Sequence, residues 1–219
     1  MTSMDQSVRR VLDEYEARSE AEEKLWHELE WTNFVGERDK FLLAVGPATG
    51  QLMNLLIKEA KAKVILEIGT SYGYSTLWLA EAARVTGGRV ITLELQAEKQ
   101  RYARKRMDQA GLADVVVFRL GDAKESLARL NENVDFVLLD LWKDLYVPCF
   151  DLFHPRLNPG ALVVADNMIF PESARTHAAV YQKHVRSQAD MQSILLPVGS
   201  GLEVSRSTRG ISAVEVQGS

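Results

Sequence analysis

From Lys63 onward, short and almost wholly apolar runs alternate with amphipathic stretches of ten to fifteen residues. The runs are Val64-Ile65-Leu66, Val90-Ile91-Thr92-Leu93, Val115-Val116-Val117-Phe118, Phe136-Val137-Leu138-Leu139 and Ala161-Leu162-Val163-Val164. Strands apolar on both faces, each followed by a helical pattern, are what a parallel sheet covered on both sides requires. With right-handed crossovers this predicts an α/β fold, a doubly wound three-layer sandwich. Toward the end the rhythm changes. Ser193–Pro197, Leu202–Ser205 and Ser212–Val216 are strand-like runs separated by Gly199, Gly201 and Gly210, with no long helix between the last two. They predict an antiparallel C-terminal hairpin at one edge of a seven-stranded, mostly parallel sheet.

Upstream, residues 4–33 place Val8, Val11, Leu12, Tyr15, Leu25, Leu29 and Trp31 at helical spacing, with no Gly or Pro before Gly36. This predicts one or two N-terminal helices packed on the domain from outside, a lid or a dimer arm over residues 1–40. Gly46-Pro47-Ala48-Thr49-Gly50 reads as a loop. Gln51–Ala60 reads as a helix with Leu52, Leu55, Leu56 and Ala60 on one face. No repeat or low-complexity linker divides the chain, so residues 1–219 are expected to form a single domain with its catalytic core at 41–219.

Composition narrows the class. The chain has 219 residues, 46% hydrophobic and 26% charged, as in ordinary soluble globular proteins. A net charge of −4 argues against a nucleic-acid partner held through its phosphates. The basic cluster Arg101, Arg104, Lys105 and Arg106 reads as a solvated helix face. Four scattered histidines lack ligand spacing, so no zinc is expected. No apolar run approaches the ~18 residues of a membrane span, and the acidic start around Asp5, Asp13, Glu14 and Glu16 is unlike a signal peptide. A single cysteine, Cys149, cannot close an intramolecular disulfide and reads as a small buried apolar residue. A reducing, cytoplasmic compartment is expected.

Ligands of open α/β sheets bind at the carboxyl ends of the strands, so the candidate chemistry lies in the residues just after each run. After the first comes Glu67-Ile68-Gly69-Thr70-Ser71-Tyr72-Gly73-Tyr74-Ser75. Its two glycines allow a tight turn and close approach to a ligand, and Ser71 or Ser75 offers a hydroxyl. A dinucleotide site needs a third glycine and no adjacent acid; Glu67 would repel phosphate and suit a cationic ligand. A nicotinamide-dependent oxidoreductase is disfavoured on that ground. Glu94 ends the second run, placed for a ribose diol or for capping the next helix, and Gly121-Asp122-Ala123 comes after the third.

The fourth and fifth runs turn abruptly acidic, at Asp140-Leu141-Trp142-Lys143-Asp144 and Asp166-Asn167. Two carboxylates and an amide oxygen on neighbouring strand ends repel unless a cation lies between them. All three are hard donors, which favours Mg²⁺, with Mn²⁺ or Ca²⁺ as substitutes; the alternative is that Asp166-Asn167 is only a turn. A lysine beside such a cation gives up its proton more readily, making Lys143 a candidate base; it could equally pair with Asp140 or Asp144. Trp142 could stack on an aromatic ligand or fill the core.

The set Glu67-x-Gly69-x-x-x-Gly73-Tyr74-Ser75, Glu94, Gly121-Asp122-Ala123, Asp140-x-Trp142-Lys143-Asp144 and Asp166-Asn167 resembles the class I S-adenosylmethionine-dependent, cation-dependent O-methyltransferases. These include the catechol and caffeoyl-CoA types, and the likeness runs from about Val45 to the C-terminus. It implies a Rossmann-like fold and a cofactor site at Val45, Glu67, Gly69, Thr70, Ser75, Glu94, Asp122, Ala123, Asp140 and Trp142. By the same resemblance Asp140, Asp166 and Asn167 hold Mg²⁺, Lys143 is the general base, and Phe41, Trp142, Lys143, Asn167 and Pro171 meet the substrate. The implied substrate is an ortho-dihydroxy aromatic; the alternatives are a caffeoyl-CoA-type or natural-product phenol, and a cofactor-binding protein without turnover. Leu141 stands where mammalian catechol enzymes carry a histidine. No acid matches the one that orients the second catechol hydroxyl, and Leu196–Leu202 looks like the caffeoyl-CoA and bacterial members. A homodimer is the expected assembly, with no nucleic-acid or membrane partner.

Overall fold

In the computed structural model, which describes residues 4–28 and 38–210, the five apolar runs become parallel strands. They are β1 (Val64–Ile68), β2 (Arg89–Glu94), β3 (Val116–Leu120), β4 (Val134–Leu139) and β5 (Leu157–Ala165). A hairpin of β6 (Met191–Leu196) and β7 (Leu202–Ser207) completes the sheet, with β7 antiparallel between β5 and β6. The order is β3-β2-β1-β4-β5-β7-β6. The hairpin thus comes from the first two of the three predicted runs; Ser212–Val216 lies outside the described residues.

Seven helices flank the sheet among the described residues: α1 (Gln6–Glu28), α2 (Pro47–Glu59), α3 (Tyr74–Thr86), α4 (Ala97–Ala110), α5 (Ala123–Ala128), α6 (Tyr146–Phe153) and α7 (Arg175–Arg186). Successive strand residues face opposite layers. Ile65, Val90, Phe136 and Val164 therefore pack under α1–α4, while Leu66, Ile91, Val137 and Val163 pack under α5–α7. Cys149 of α6 is fully buried in the second layer, and burial pushes its thiol up to about 12. Among the described residues no helix is long and apolar enough to cross a membrane.

Packing bears on three expectations and corrects two of them. The N-terminal helix does pack on the domain from outside, as expected: Val8, Val11, Leu12 and Tyr15, spaced i, i+3, i+4, i+7, are all buried against the α3–α4 layer. Farther along α1, Leu25 is 52% exposed, and Leu29 and Trp31 fall outside the described residues. The basic cluster of α4 is not uniformly solvated. Arg106 is buried, pairs with Glu14 at 2.7 Å and lies 4.9 Å from the Tyr15 ring centre. A long guanidinium side chain can cover aromatic surface while keeping a carboxylate partner.

The second correction concerns α2, which starts at Pro47, inside the predicted loop; proline suits a first helical position because its missing N–H would be unpaired there. Its buried face is Thr49, Gly50, Met53, Asn54 and Ile57, and Leu55 is 65% exposed. The reason is Gly50: a Cβ there would lie 2.4 Å from the Trp78 indole, so the small residues of α2 are turned toward α3.

The packing of α1 generates a direct test. Leu12→Ala should cost about 2–4 kcal/mol in chemical unfolding, and Leu25→Ala about 0.5 kcal/mol or less. Equal small effects would mean that α1 is a detachable arm.

Candidate active site

Strand order reverses between β1 and β4, and the loops leaving these strands touch. The Asp140 N–H donates to the Ile68 carbonyl at 3.0 Å. Gly69 has φ +109°, and a Cβ built on it would fall 1.9 Å from the Asp140 carbonyl oxygen. Only glycine fits. The N–H groups of Gly69 and Thr70 both donate to the Leu93 carbonyl at 3.1 and 3.0 Å, which bends the loop toward β2. At Gly73, φ is +91° and a Cβ would meet Ala103 of α4 at 2.8 Å. The glycine loop is thus pressed between two elements.

Glu67 lies beneath this loop with no exposed surface. Its carboxylate accepts hydroxyl hydrogen bonds at 2.6 Å from Ser75, Thr76 and Thr92. Burial raises its carboxyl to about 7, despite the three hydroxyls that favour the charged form. Asp140 adds a smaller push in the same direction. Ser75 therefore spends its hydroxyl on Glu67, and the acid supports the loop from below. Thr70 is buried beside it, its hydroxyl in a short contact with that of Thr92.

Glu94 is 9% exposed at the tip of β2. One oxygen accepts the Ser71 N–H at 2.7 Å and the other the Gln96 N–H at 2.8 Å, just before α4. Each oxygen keeps a further lone pair, so both readings of this acid, holding backbone and accepting from a ligand, are compatible. Asp122 caps α5 by accepting the Glu125 N–H at 3.1 Å. Ala123 is half-buried, and space beside Gly121 is open.

At the tips of β4 and β5, Leu139 pairs with Ala165, so Asp140 and Asp166 are the next residues on adjacent strands. Asp166 is 2% exposed and its Oδ1 has no hydrogen-bond partner. Burial, then the nearby Asp140 charge, raises its carboxyl. Asn167 comes next with φ +60°, a left-handed conformation that asparagine tolerates. The residues after it are fastened to the β6–β7 turn: Met168 N–H to the Gly201 carbonyl, Ile169 and Phe170 N–H to the Ser200 carbonyl, each at 2.9 Å. Among the described residues no group of three His, Cys, Asp or Glu side chains is placed to hold a metal ion. The candidate donors are two carboxylates and an amide, all hard oxygen ligands by chemistry, and among them Asp166 Oδ1 is buried without a hydrogen-bond partner.

Lys143 Nζ lies 3.4 Å from Asp140 Oδ1, 3.1 Å from the Leu141 carbonyl and 2.5 Å from the Tyr146 hydroxyl. The expected ion pair to Asp140 is present; Asp144 is not among these partners. Tyr146 is fully buried, donates to the Asp166 carbonyl at 3.1 Å, and has its ionisation pushed well up by burial, so its proton stays on. Tyr146 is absent from the residues that motif and spacing single out, although its separation of three from Lys143 is visible in the chain.

A strap at Leu42–Val45 covers the glycine loop. Together with Gly69, Thr70, Ser71, Tyr72, Tyr74, Ser75 and Asp140 it encloses a cavity of about 20 Å³, the room of one water. Helix α1 fixes both sides: Glu22 accepts the Leu42 N–H at 2.6 Å, and the Tyr15 hydroxyl donates to the Tyr72 carbonyl at 2.5 Å. No local signal reveals these partners, which lie 20 and 57 residues apart in sequence. Phe41 is buried beside the strap and is outside the cavity lining. Trp142 is 44% exposed, so it is not core, and Pro171 is exposed after the acidic tip.

Residues 16–207 match the O-methyltransferase family. A catechol O-methyltransferase of Niastella koreensis is 38% identical over 142 residues, covering 63% of this chain and 64% of that protein. The catechol O-methyltransferase of Mus musculus is 32% identical over 139 residues, covering 60% and 52%. The matched stretch thus spans less than two thirds of these relatives. The crystal structure of the O-methyltransferase TomG from Streptomyces achromogenes, involved in tomaymycin synthesis and solved with S-adenosylmethionine, superposes with a TM-score of 0.72. It is 26% identical and covers 94% of this chain and 91% of that one.

The buried acid makes stability depend on pH. With its carboxyl raised from 4.5 to about 7, the folded state holds the Glu67 proton more tightly than the unfolded chain. That stabilisation is complete below about pH 4.5 and lost as pH rises through about 7, a change of about 3 kcal/mol. In chelator-treated buffer, Glu67→Gln should remove most of this slope from urea midpoints measured between pH 5 and 8; an unchanged slope would assign it elsewhere.

Proposed function

The chain belongs to the O-methyltransferase family, and from that premise we propose that it transfers the methyl group of S-adenosylmethionine to one hydroxyl of an ortho-dihydroxy aromatic. S-adenosylhomocysteine is the second product. The observation that carries this reading is the pair of acidic strand tips, with the unpartnered oxygen of Asp166 beside Asp140 and Lys143 within 3.4 Å of it.

Asp140, Asp166 and Asn167 would hold Mg²⁺, or Mn²⁺ or Ca²⁺ in its place. When bound, such a cation supplies Lewis-acid stabilisation of a phenolate, whose parent phenol has a pKa near ~10. Lys143 Nζ accepts the proton of the attacking hydroxyl. Val45, Gly69 and Thr70 line the methionine end of the cofactor, with Glu67 and Ser75 holding that loop from below. Glu94 accepts from the ribose hydroxyls, and Asp122, Ala123 and Trp142 border the adenine. Val45 of the Leu42–Val45 strap lines a cavity of about 20 Å³ together with Gly69, Thr70 and Ser75.

Apolar side chains exposed on the loops at this end of the sheet (Leu43 at 40%, Trp142 at 44%, Phe170 at 63%) would wall an aromatic ring, with Phe41 and Pro171 at its margin. Holding oxygen and methyl at attack distance can contribute ~7–11 kcal/mol. A larger natural-product phenol is the second reading, favoured by the near-complete coverage of the tomaymycin-pathway relative.

Two outcomes test the scheme. Lys143→Ala should lower kcat about 10²–10⁴-fold while calorimetric affinity for S-adenosylmethionine is retained; normal turnover would remove Lys143 from catalysis. Asp166→Ala should abolish activity toward catechols, flavonoids and phenolic CoA esters, and EDTA should reproduce that loss in the unaltered protein. Full activity in chelator would exclude the cation.

A further inference from the structure

We propose that Tyr146 is a positioning residue for methyl transfer, its buried hydroxyl anchoring Lys143 to the backbone of the β5 acidic tip. The inference rests on the reading of Lys143 as the base.

The geometry defines the direction of the hydrogen-bond chain. Tyr146 Oη has one proton, and the Asp166 carbonyl 3.1 Å away can only accept it. The oxygen's lone pairs therefore face Lys143 Nζ at 2.5 Å, and an N–H of Lys143 donates into them. The ring is held as well. It is fully buried, packs edge-on against Tyr181 at 5.4 Å between centres, and lies 4.5 Å from Nζ.

Local structure explains why the two side chains meet. Lys143–Leu145 is a 3₁₀ turn that runs directly into α6, whose first residue is Tyr146. Side chains three apart eclipse in such a turn, so Lys143 stacks over Tyr146. A free lysine side chain samples many rotamers. The Tyr146 hydroxyl removes much of that freedom and links the Asp140 and Asp166 loops through one side chain. Plain core filling would be met by phenylalanine, which brings no buried hydroxyl in need of partners.

The test is a double-mutant cycle on the full chain, with S-adenosylmethionine, Mg²⁺ and 3,4-dihydroxybenzoate as probe. Tyr146→Phe should lower kcat about tenfold, with the KM for S-adenosylmethionine within about twofold. In the Lys143→Ala background the same change should alter kcat less than about twofold, because the group being positioned is gone. A merely structural role would lower the unfolding midpoint and leave the same fractional loss in both backgrounds. Wild-type turnover by Tyr146→Phe, or equal losses in the two backgrounds, would overturn the proposal. So would a Tyr146→Phe protein that no longer folds or binds cofactor in calorimetry, since that assigns the hydroxyl to stability alone. Full turnover by Lys143→Ala alone would instead overturn the base reading itself, and is visible without any change at Tyr146.

Discussion

The site depends on how closely two loops approach where the sheet reverses its order. The Asp140 carbonyl occupies the space that any side chain at residue 69 would need, and the adjacent peptide is bonded to β1 through Ile68. One backbone contact thereby sets the distance between the glycine loop and the acidic tip carrying Lys143. For the proposed methyl transfer, which depends on the placement of two reacting atoms, such a fixed distance would matter more than any single attraction. The same closeness explains why Gly69 takes φ +109°, where other residues would be strained.

Around that contact the protein accepts two unfavourable burials. Glu67 is surrounded by three hydroxyls rather than a cation, and Asp166 retains an oxygen with no partner. Both carboxyls are raised because water is excluded and Asp140 is near. The two differ in what they lack. Glu67 is fully hydrogen-bonded, whereas Oδ1 of Asp166 has no hydrogen-bond partner among the described residues. A buried polar group left unpaired is costly.

Helix α1 is hydrogen-bonded to the loops at the carboxyl end of the sheet. The Tyr15 hydroxyl holds the glycine loop at Tyr72, Glu22 holds the strap at Leu42, and Lys99 reaches Asp39 at 3.1 Å. The buried half of α1 anchors the helix, and its polar side carries the contacts that keep the strap over the cavity.

Much of this was legible from residue order. Nearly unbroken apolar runs specify strands, buried on both faces in the centre of the sheet though not at its β3 edge, where Val117 is 43% exposed, and the abrupt change to Asp140 and Asp166 marks where β4 and β5 leave the core. Glycines at 69 and 73 announced a tight loop. What residue order could not determine was the rotation of helices and the choice of partners. Leu55 faces solvent because Gly50 must meet the Trp78 indole, and Arg106 turns inward because Glu14 and Tyr15 wait there. Glu22, Tyr15 and the hydroxyl of Tyr146 gain their roles only when distant segments converge. Periodicity is a local property and survives in the sequence; hydrogen-bond partnership across 20 to 60 residues is a property of packing, and only the folded chain decides it.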